Sequence, residues 1–316
     1  MELISVIVPT YNGARYLAHC LESIAAQQDN GLEIIVVDDG STDSTLEIAQ
    51  SFSQHLPLSI HSLPRIGSWT ANSNRGVDLA RGEFISFLHQ DDFWHPQRLK
   101  LLRQVLAVDR DVGLVLHPSR YVSDRGRSLG LIRCPFPNEG RLDCDQVFER
   151  LFVQNFIMMP APLIRRSEFL RAGGFDSRLW YTADWKLWLN LARLCSWHYV
   201  AKPLASFRLH RGAQTIKSSS TSDDFRKQHT AVLEHFASQT TAISTEVPAR
   251  CAAELNVALA AYFHSGDIEW TPLIDSMKRL RLKSAVQLLR FSRFHERIGS
   301  RLLCGLLEHR SSSTNA

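Results

Sequence analysis

An α/β fold built on a doubly wound, mostly parallel sheet, with a helical C-terminal extension, follows from three features of the sequence. Short β-branched runs alternate with helical periodicity over the first hundred residues, as in βαβ units. Polar clusters follow the strands directly. Past residue 222 the strand-like alternation stops and only helical spacing continues.

The elements can be taken in order. Leu3–Val8 and Glu33–Val37 are apolar runs of the kind that buried parallel strands show. Between them, Tyr16, Leu17, Cys20, Leu21 and Ile24 recur at helical spacing, which predicts a helix over about Arg15–Gln27. Asp38-Asp39-Gly40-Ser41-Thr42-Asp43 then turns the chain, with Thr42 or Asp43 capping a helix toward Phe52. A strand near Leu58–Ser62, a helix over Ser68–Ala80 and a strand at Glu83–Leu88 continue the alternation. A helix to Val108, a strand at Val112–Leu116 and a hairpin or loop over Tyr121–Gly140 come next. Later elements are a short helix at Ser167–Ala172, an amphipathic helix at Ala183–Leu194 and strands near His198–Val200 and Ser206–His210. A low-complexity break at Lys217–Ser222 divides a domain of residues 1–215 from an extension of residues 216–316.

Composition narrows the function. The 316 residues carry 36 basic and 32 acidic side chains, a net charge of +4. That small sum gives no argument for nucleic acid as a partner. The charge is uneven: residues 276–310 hold nine basic residues against two acidic ones, interleaved with leucines. This pattern has two readings, a basic amphipathic helix lying on anionic lipid or an appendage packed on the catalytic domain. Six cysteines without C-x-x-C spacing read as reduced, mostly buried thiols. The N-terminus has no signal-peptide character, and no apolar stretch reaches the ~18 residues of a membrane span. A cytoplasmic protein is expected, with the inner membrane face as the site of any peripheral contact.

Ligands of open parallel sheets bind beyond the carboxyl ends of the strands. Thr10-Tyr11, Asp38-Asp39 and His89-Gln90-Asp91-Asp92 therefore share one edge. Paired carboxylates there suit a hard divalent cation carrying a diphosphate. No G-x-G-x-x-G fingerprint follows a strand, which disfavours NAD chemistry.

Five segments sharpen this reading: SVIVPTYNG (Ser5–Gly13), EIIVVDDGSTD (Glu33–Asp43), ARGEFISFL (Ala80–Leu88) followed by Asp91-Asp92, Gly173-Gly174-Phe175-Asp176, and DWKLWL (Asp184–Leu189). In this order and spacing the chain, over roughly residues 3–212, resembles the family 2 glycosyltransferases of GT-A fold. The resemblance implies an inverting transfer of a sugar from a nucleoside-diphosphate sugar to an acceptor hydroxyl, with Mg or Mn as cofactor. It places Pro9, Thr10, Tyr11 and Asp39 at the nucleoside. Asp91 and Asp92 divide the ribose and the metal, Asp92 being the first choice for the ion. Asp184 becomes the general base, Gly174, Phe175 and Asp176 the acceptor side, Arg208 a diphosphate contact and His210 a metal or phosphate ligand.

Three departures stand out. His89 replaces the first carboxylate of the family's Asp-x-Asp-Asp, Ala183 replaces a carboxylate beside Asp184, and Ser73 occupies a place where Arg is common, leaving Arg75 or Asn72 for the donor. At a helix N-terminus, Asp184 is expected to stay ionised with lowered basicity. By family analogy the acceptor is a glycan or lipid-linked saccharide of bacterial surface polysaccharide or glycolipid synthesis. The competing readings are a non-catalytic sugar-nucleotide-binding subunit and a sugar-phosphate nucleotidyltransferase. The latter lacks the Gly-rich, basic loop that grips a triphosphate.

Overall fold

The structure, a computed structural model, describes residues 2–210, 222–237, 243–264, 268–300 and 302–303. The expected domain boundary at 215/216, and nearly all of the low-complexity break, fall outside the described residues.

Strands β1 (Ile4–Thr10), β2 (Leu32–Asp38), β3 (Leu58–Ser62) and β4 (Phe84–Phe87) alternate with helices α1 (Leu17–Ala25), α2 (Thr45–Phe52) and α3 (Trp69–Leu79). β5 (Phe93–Trp94), α4 (Arg98–Val108), β6 (Leu114–Leu116), β7 (Ser119–Val122), β8 (Ser128–Ile132), β9 (Gly140–Leu142) and α5 (Cys144–Val153) follow. Then come β10 (Leu163–Arg165), α6 (Arg166–Arg171), α7 (Ala183–Leu194), β11 (Trp197–Tyr199) and β12 (Ala205–Arg208).

The main sheet has the order β3-β2-β1-β4-β10-β6-β11-β9. β1 pairs in parallel with both β2 and β4, and β2 with β3. The sheet is mostly parallel, as expected, and β10 enters antiparallel between β4 and β6. A second sheet, β5-β12-β7-β8, closes over one end, and its β7–β8 pair is the hairpin expected within 121–140.

The unbroken apolar runs of β1 and β2 are explained by cover on both faces. Val6, Val8, Ile34 and Val36 face a core shared with Leu17, Leu21 and Leu102. Ile7, Ile35 and Val37 face a second core shared with Val77, Phe148 and Trp188. Helix α5 was not anticipated, although Val147, Phe148, Leu151 and Phe152 repeat at helical spacing and Asp143 caps it, accepting from Gln146 N at 2.8 Å.

The C-terminal region is helical over Ser222–Ala237, Ile243–His264, Trp270–Lys278, Leu282–Ser292 and 294–300. Val232, Leu233, Phe236, Ala249 and Ala253 belong to the core built on α5 and α7. The single basic helix expected over 276–310 is a series of short ones, broken at 279–281 and at Arg293, whose φ of 47° is left-handed. Among the described residues no helix is long and apolar enough to cross a membrane.

Phe236 is 1 % exposed, with its ring centroid 5.7 Å from that of Phe148. Phe236→Ala is expected to cost about 3–5 kcal/mol in urea unfolding; a cost below ~1 kcal/mol contradicts a shared core.

Candidate active site

Parallel pairing sets Thr10 beside Asp38 at the strand ends. Asp38 is fully buried and accepts from Thr10 Oγ1 and Ser41 N, each at 2.9 Å, so it builds the turn itself. Asp39 accepts from the amides of Ile66 and Gly67 at 2.8 and 2.9 Å. Pro9 is buried in the strand, whereas Tyr11 is 36 % exposed at its mouth. The Tyr11 ring is covered by the Arg65 guanidinium, 3.5 Å from its centroid, and its backbone is clipped by Gln90 at 2.9 and 3.0 Å. Arg75 is exposed on α3, and no described contact joins it to Asp39, Asp91 or Asp92. Its buried neighbours Asn72 and Ser73 each keep a side-chain oxygen without a partner.

Asp91 and Asp92 lie between β4 and β5, and the β5–β12 pairing brings Arg208 and His210 against them. His210 Nε2 is 2.9 Å from Asp91 Oδ2. Burial raises the Asp91 carboxyl, but the His210 hydrogen bond and the nearby imidazoles of His89 and His210 outweigh it and hold the group below the ordinary range. Asp92 is 2 % exposed; its Oδ1 accepts from Arg208 N at 2.9 Å and its Oδ2 has no partner among the described residues. Burial, then the charge of Asp91, raises Asp92 well above the usual carboxylate range. His89 is held down by burial, and its Nε2 is also without a partner among the described residues.

The Arg208 guanidinium, expected to meet the diphosphate, is engaged within the protein. Nε donates to Asp91 O at 2.8 Å, Nη1 to the carbonyls of Ser123 and Asp124 at 3.2 and 2.8 Å, and Nη2 sits 3.1 Å from His19 Nδ1. Its planar fork has found backbone acceptors, which makes it a strut between β12, β7 and α1. No group of three or more His, Cys, Asp or Glu side chains placed to hold a metal ion occurs among the described residues. The chemistry of the site nevertheless fits a hard cation, because Asp92 Oδ2 is a buried oxygen with no hydrogen to accept.

The second cluster surrounds α7. Gly173 and Gly174 have φ of 85° and 66°, a conformation that only glycine adopts without strain. Asn74 staples this turn, donating to Phe175 O at 2.8 Å and accepting from Phe175 N at 3.0 Å. Asp176 accepts from Arg178 and from Lys186 Nζ at 2.7 Å, and these hold it below the ordinary range. Asp184 Oδ1 accepts from Trp185 N at 2.7 Å and Oδ2 from Asn155 Nδ2 at 3.0 Å. Burial dominates over these hydrogen bonds and pushes the carboxyl up to about 6. The lowered basicity expected from the helix dipole is thus reversed by desolvation.

Trp69 joins the two clusters. Its ring meets His89 at 5.5 Å and Phe175 at 5.1 Å, and its Nε1 donates to Trp180 O at 2.7 Å. Asn74, Gln90, Trp69 and Asn155 escaped the sequence reading because their hydrogen-bond partners are 79 or more residues away for the first three and 29 for the last. Removing the strut is expected to be severe: Arg208→Met should cost about 3–5 kcal/mol in urea unfolding, and a loss below ~1 kcal/mol contradicts its role.

Residues 5–161 match the profile of Glycosyl transferase family 2. An uncharacterized glycosyltransferase of Rickettsia typhi is 30% identical over 220 residues, covering 69% of this chain and 67% of that protein. S. aureus TarS in complex with UDP-GlcNAc superimposes with a TM-score of 0.63 at 21% identity, covering 92% of this chain and 79% of that one. The Pyrobaculum calidifontis mannosyltransferase PcManGT, in complex with GDP-Man and Mn2+, gives 0.51 at 18% identity, covering 91% and 87%. The ordered motifs, the strand-end carboxylates and these likenesses agree, and the chain belongs to glycosyl transferase family 2.

Proposed function

We propose that this chain is an inverting glycosyltransferase that moves a sugar from a nucleoside-diphosphate sugar to an acceptor hydroxyl, with Asp184 as general base. The observation that carries this is the tuning of Asp184. A carboxyl whose burial pushes it up to about 6 is ionised at neutral pH yet basic enough to take a proton. In the proposed step the acceptor hydroxyl loses its proton to Asp184 as its oxygen bonds the anomeric carbon. The bond from that carbon to the diphosphate breaks on the opposite face, and the diphosphate leaves with the electron pair.

Pro9, Thr10, Tyr11 and Asp39 line the nucleoside end. Asp39 Oδ1 and Oδ2 each keep a lone pair beyond the bonds from residues 66 and 67. Asp92, with Asp91 beside it, would hold a Mg or Mn ion, which when bound stabilises charge on the departing diphosphate. The complex of PcManGT with GDP-Man and Mn2+, a protein of like fold, supports that choice. Gly174, Phe175 and Asp176 shape the acceptor side, which we assign to a glycan or lipid-linked saccharide. Exposed Trp270, Leu282, Val286 and Leu289 among the basic residues of the C-terminal helices support contact with the inner face of a membrane.

Asp184→Asn is expected to lower transfer by about 10²–10⁴-fold while leaving nucleotide-sugar affinity unchanged. In the unaltered protein the base must be deprotonated, so kcat/KM should fall tenfold per unit as pH drops below about 6. Initial rates of nucleoside-diphosphate release across pH 5–9 check both; full turnover in Asp184→Asn contradicts the assignment.

A further inference from the structure

The C-terminal helices reach the corner where Asp184 sits, by two separate routes. Residue Asn155, at the end of α5, donates its side-chain amide to Asp184 Oδ2 at 3.0 Å and accepts from Ile157 N at 3.0 Å through its own Oδ1. Its backbone carbonyl is gripped from outside the catalytic fold. Arg297 Nη2, from the 294–300 helix, donates to that carbonyl. Gln154 Nε2 donates to it as well, at 3.2 Å, and Gln154 Oε1 in turn accepts from Asn256 Nδ2 of the 243–264 helix at 2.8 Å. Gln154 and Asn256 are both buried. Packing anchors the same spot, since Val153 shares a small apolar cluster with Cys251, Ala252 and Leu288.

The 294–300 helix is itself pinned. Glu296 accepts from Arg133 N at 3.1 Å and from Arg133 Nη1 at 2.6 Å, and it pairs with Arg293. The left-handed turn at Arg293 sets the direction in which this helix leaves its predecessor. Arg293 and Arg297, counted by sequence among the residues of a basic surface, are thereby turned to partners within the protein.

We propose that Arg297 is a positioning residue of the transfer site: by holding the Asn155 carbonyl it keeps the Asn155 amide on Asp184 Oδ2 and fixes the plane of the base. The C-terminal extension is then part of the catalytic apparatus rather than an appendage. This inference rests on Asp184 being the base. The positive charge of Arg297 also bears on Asp184, lowering a carboxyl that burial raises. The other titratable group at this corner is His229, of the 222–237 helix, whose ring packs on Trp185 and Tyr181. Burial brings His229 down to about 4, so it is neutral when Asp184 titrates. Lys186, one turn along α7, is paired with Asp176.

The test is a ¹³C carboxyl NMR titration of Asp184 in the full chain, its signal assigned by its loss in Asp184→Asn. In Arg297→Gln the midpoint should rise by about half a unit or more. That corresponds to a loss of about 3-fold in the ionised fraction, and in kcat/KM, well below the midpoint. Both should be recovered in Arg297→Lys, which keeps the charge. An unmoved midpoint in Arg297→Gln, or a loss of rate equal at every pH, overturns the inference and leaves Asp184 as base intact. Full turnover in Asp184→Asn instead overturns the base and the inference together. Should Arg297→Gln fail to fold, Asn155→Ala deletes the amide at the other end of the link. A raised Asp184 midpoint there supports the proposal and an unmoved one overturns it.

Discussion

Two adjacent carboxylates beyond β4, Asp91 half-buried and Asp92 buried, are the constraint around which this end of the fold is arranged. Neighbouring negative charges in a poorly solvated place cannot both be ionised without compensation. The protein compensates them unequally. Asp91 has a histidine on it and is held below the ordinary range, while Asp92 has one backbone amide and one oxygen with no partner among the described residues. The supports for this pair come from far along the chain. A single guanidinium, Arg208, carried on β12 of the second sheet, ties the Asp91 carbonyl to the β7–β8 turn and to α1.

The second carboxylate centre follows the opposite rule. Asp184 stands at the start of α7, where the helix dipole favours its charge, yet its burial against Asn155 and Trp185 wins and moves it to about 6. Environment thus sets the carboxyls apart: Asp91 is held below the ordinary range, while burial raises Asp92 and Asp184. Trp69 links the two segments through ring contacts with His89 and Phe175.

Much of this was legible in the sequence, and the limits were physical. β1 and β2 announced themselves because a strand covered on both faces must be apolar throughout, and α7 because its tryptophans and leucines repeat at helical spacing. The strand-end carboxylates followed from the fold class. The antiparallel insertion of β10 was not legible, since three residues carry no periodicity that records direction. Nor was the occupation of Arg208, because an arginine near aspartates reads the same whether its fork meets a diphosphate or backbone carbonyls. In the C-terminal region the count of basic residues was legible and their individual partners were not: Arg293 pairs with Glu296 and Arg297 donates to the Asn155 carbonyl, which composition cannot reveal.

In the proposed function, Asp92 Oδ2 takes up a divalent ion together with the nucleotide. Calorimetric titration of the full chain with UDP-GlcNAc or GDP-mannose and MnCl₂, near pH 7 in buffers of different ionisation enthalpy, measures this directly. Binding that requires the metal and releases a net fraction of a proton, up to about one, is the predicted result. Nucleotide-sugar binding of equal strength in excess chelator, with heats independent of the buffer, would contradict it.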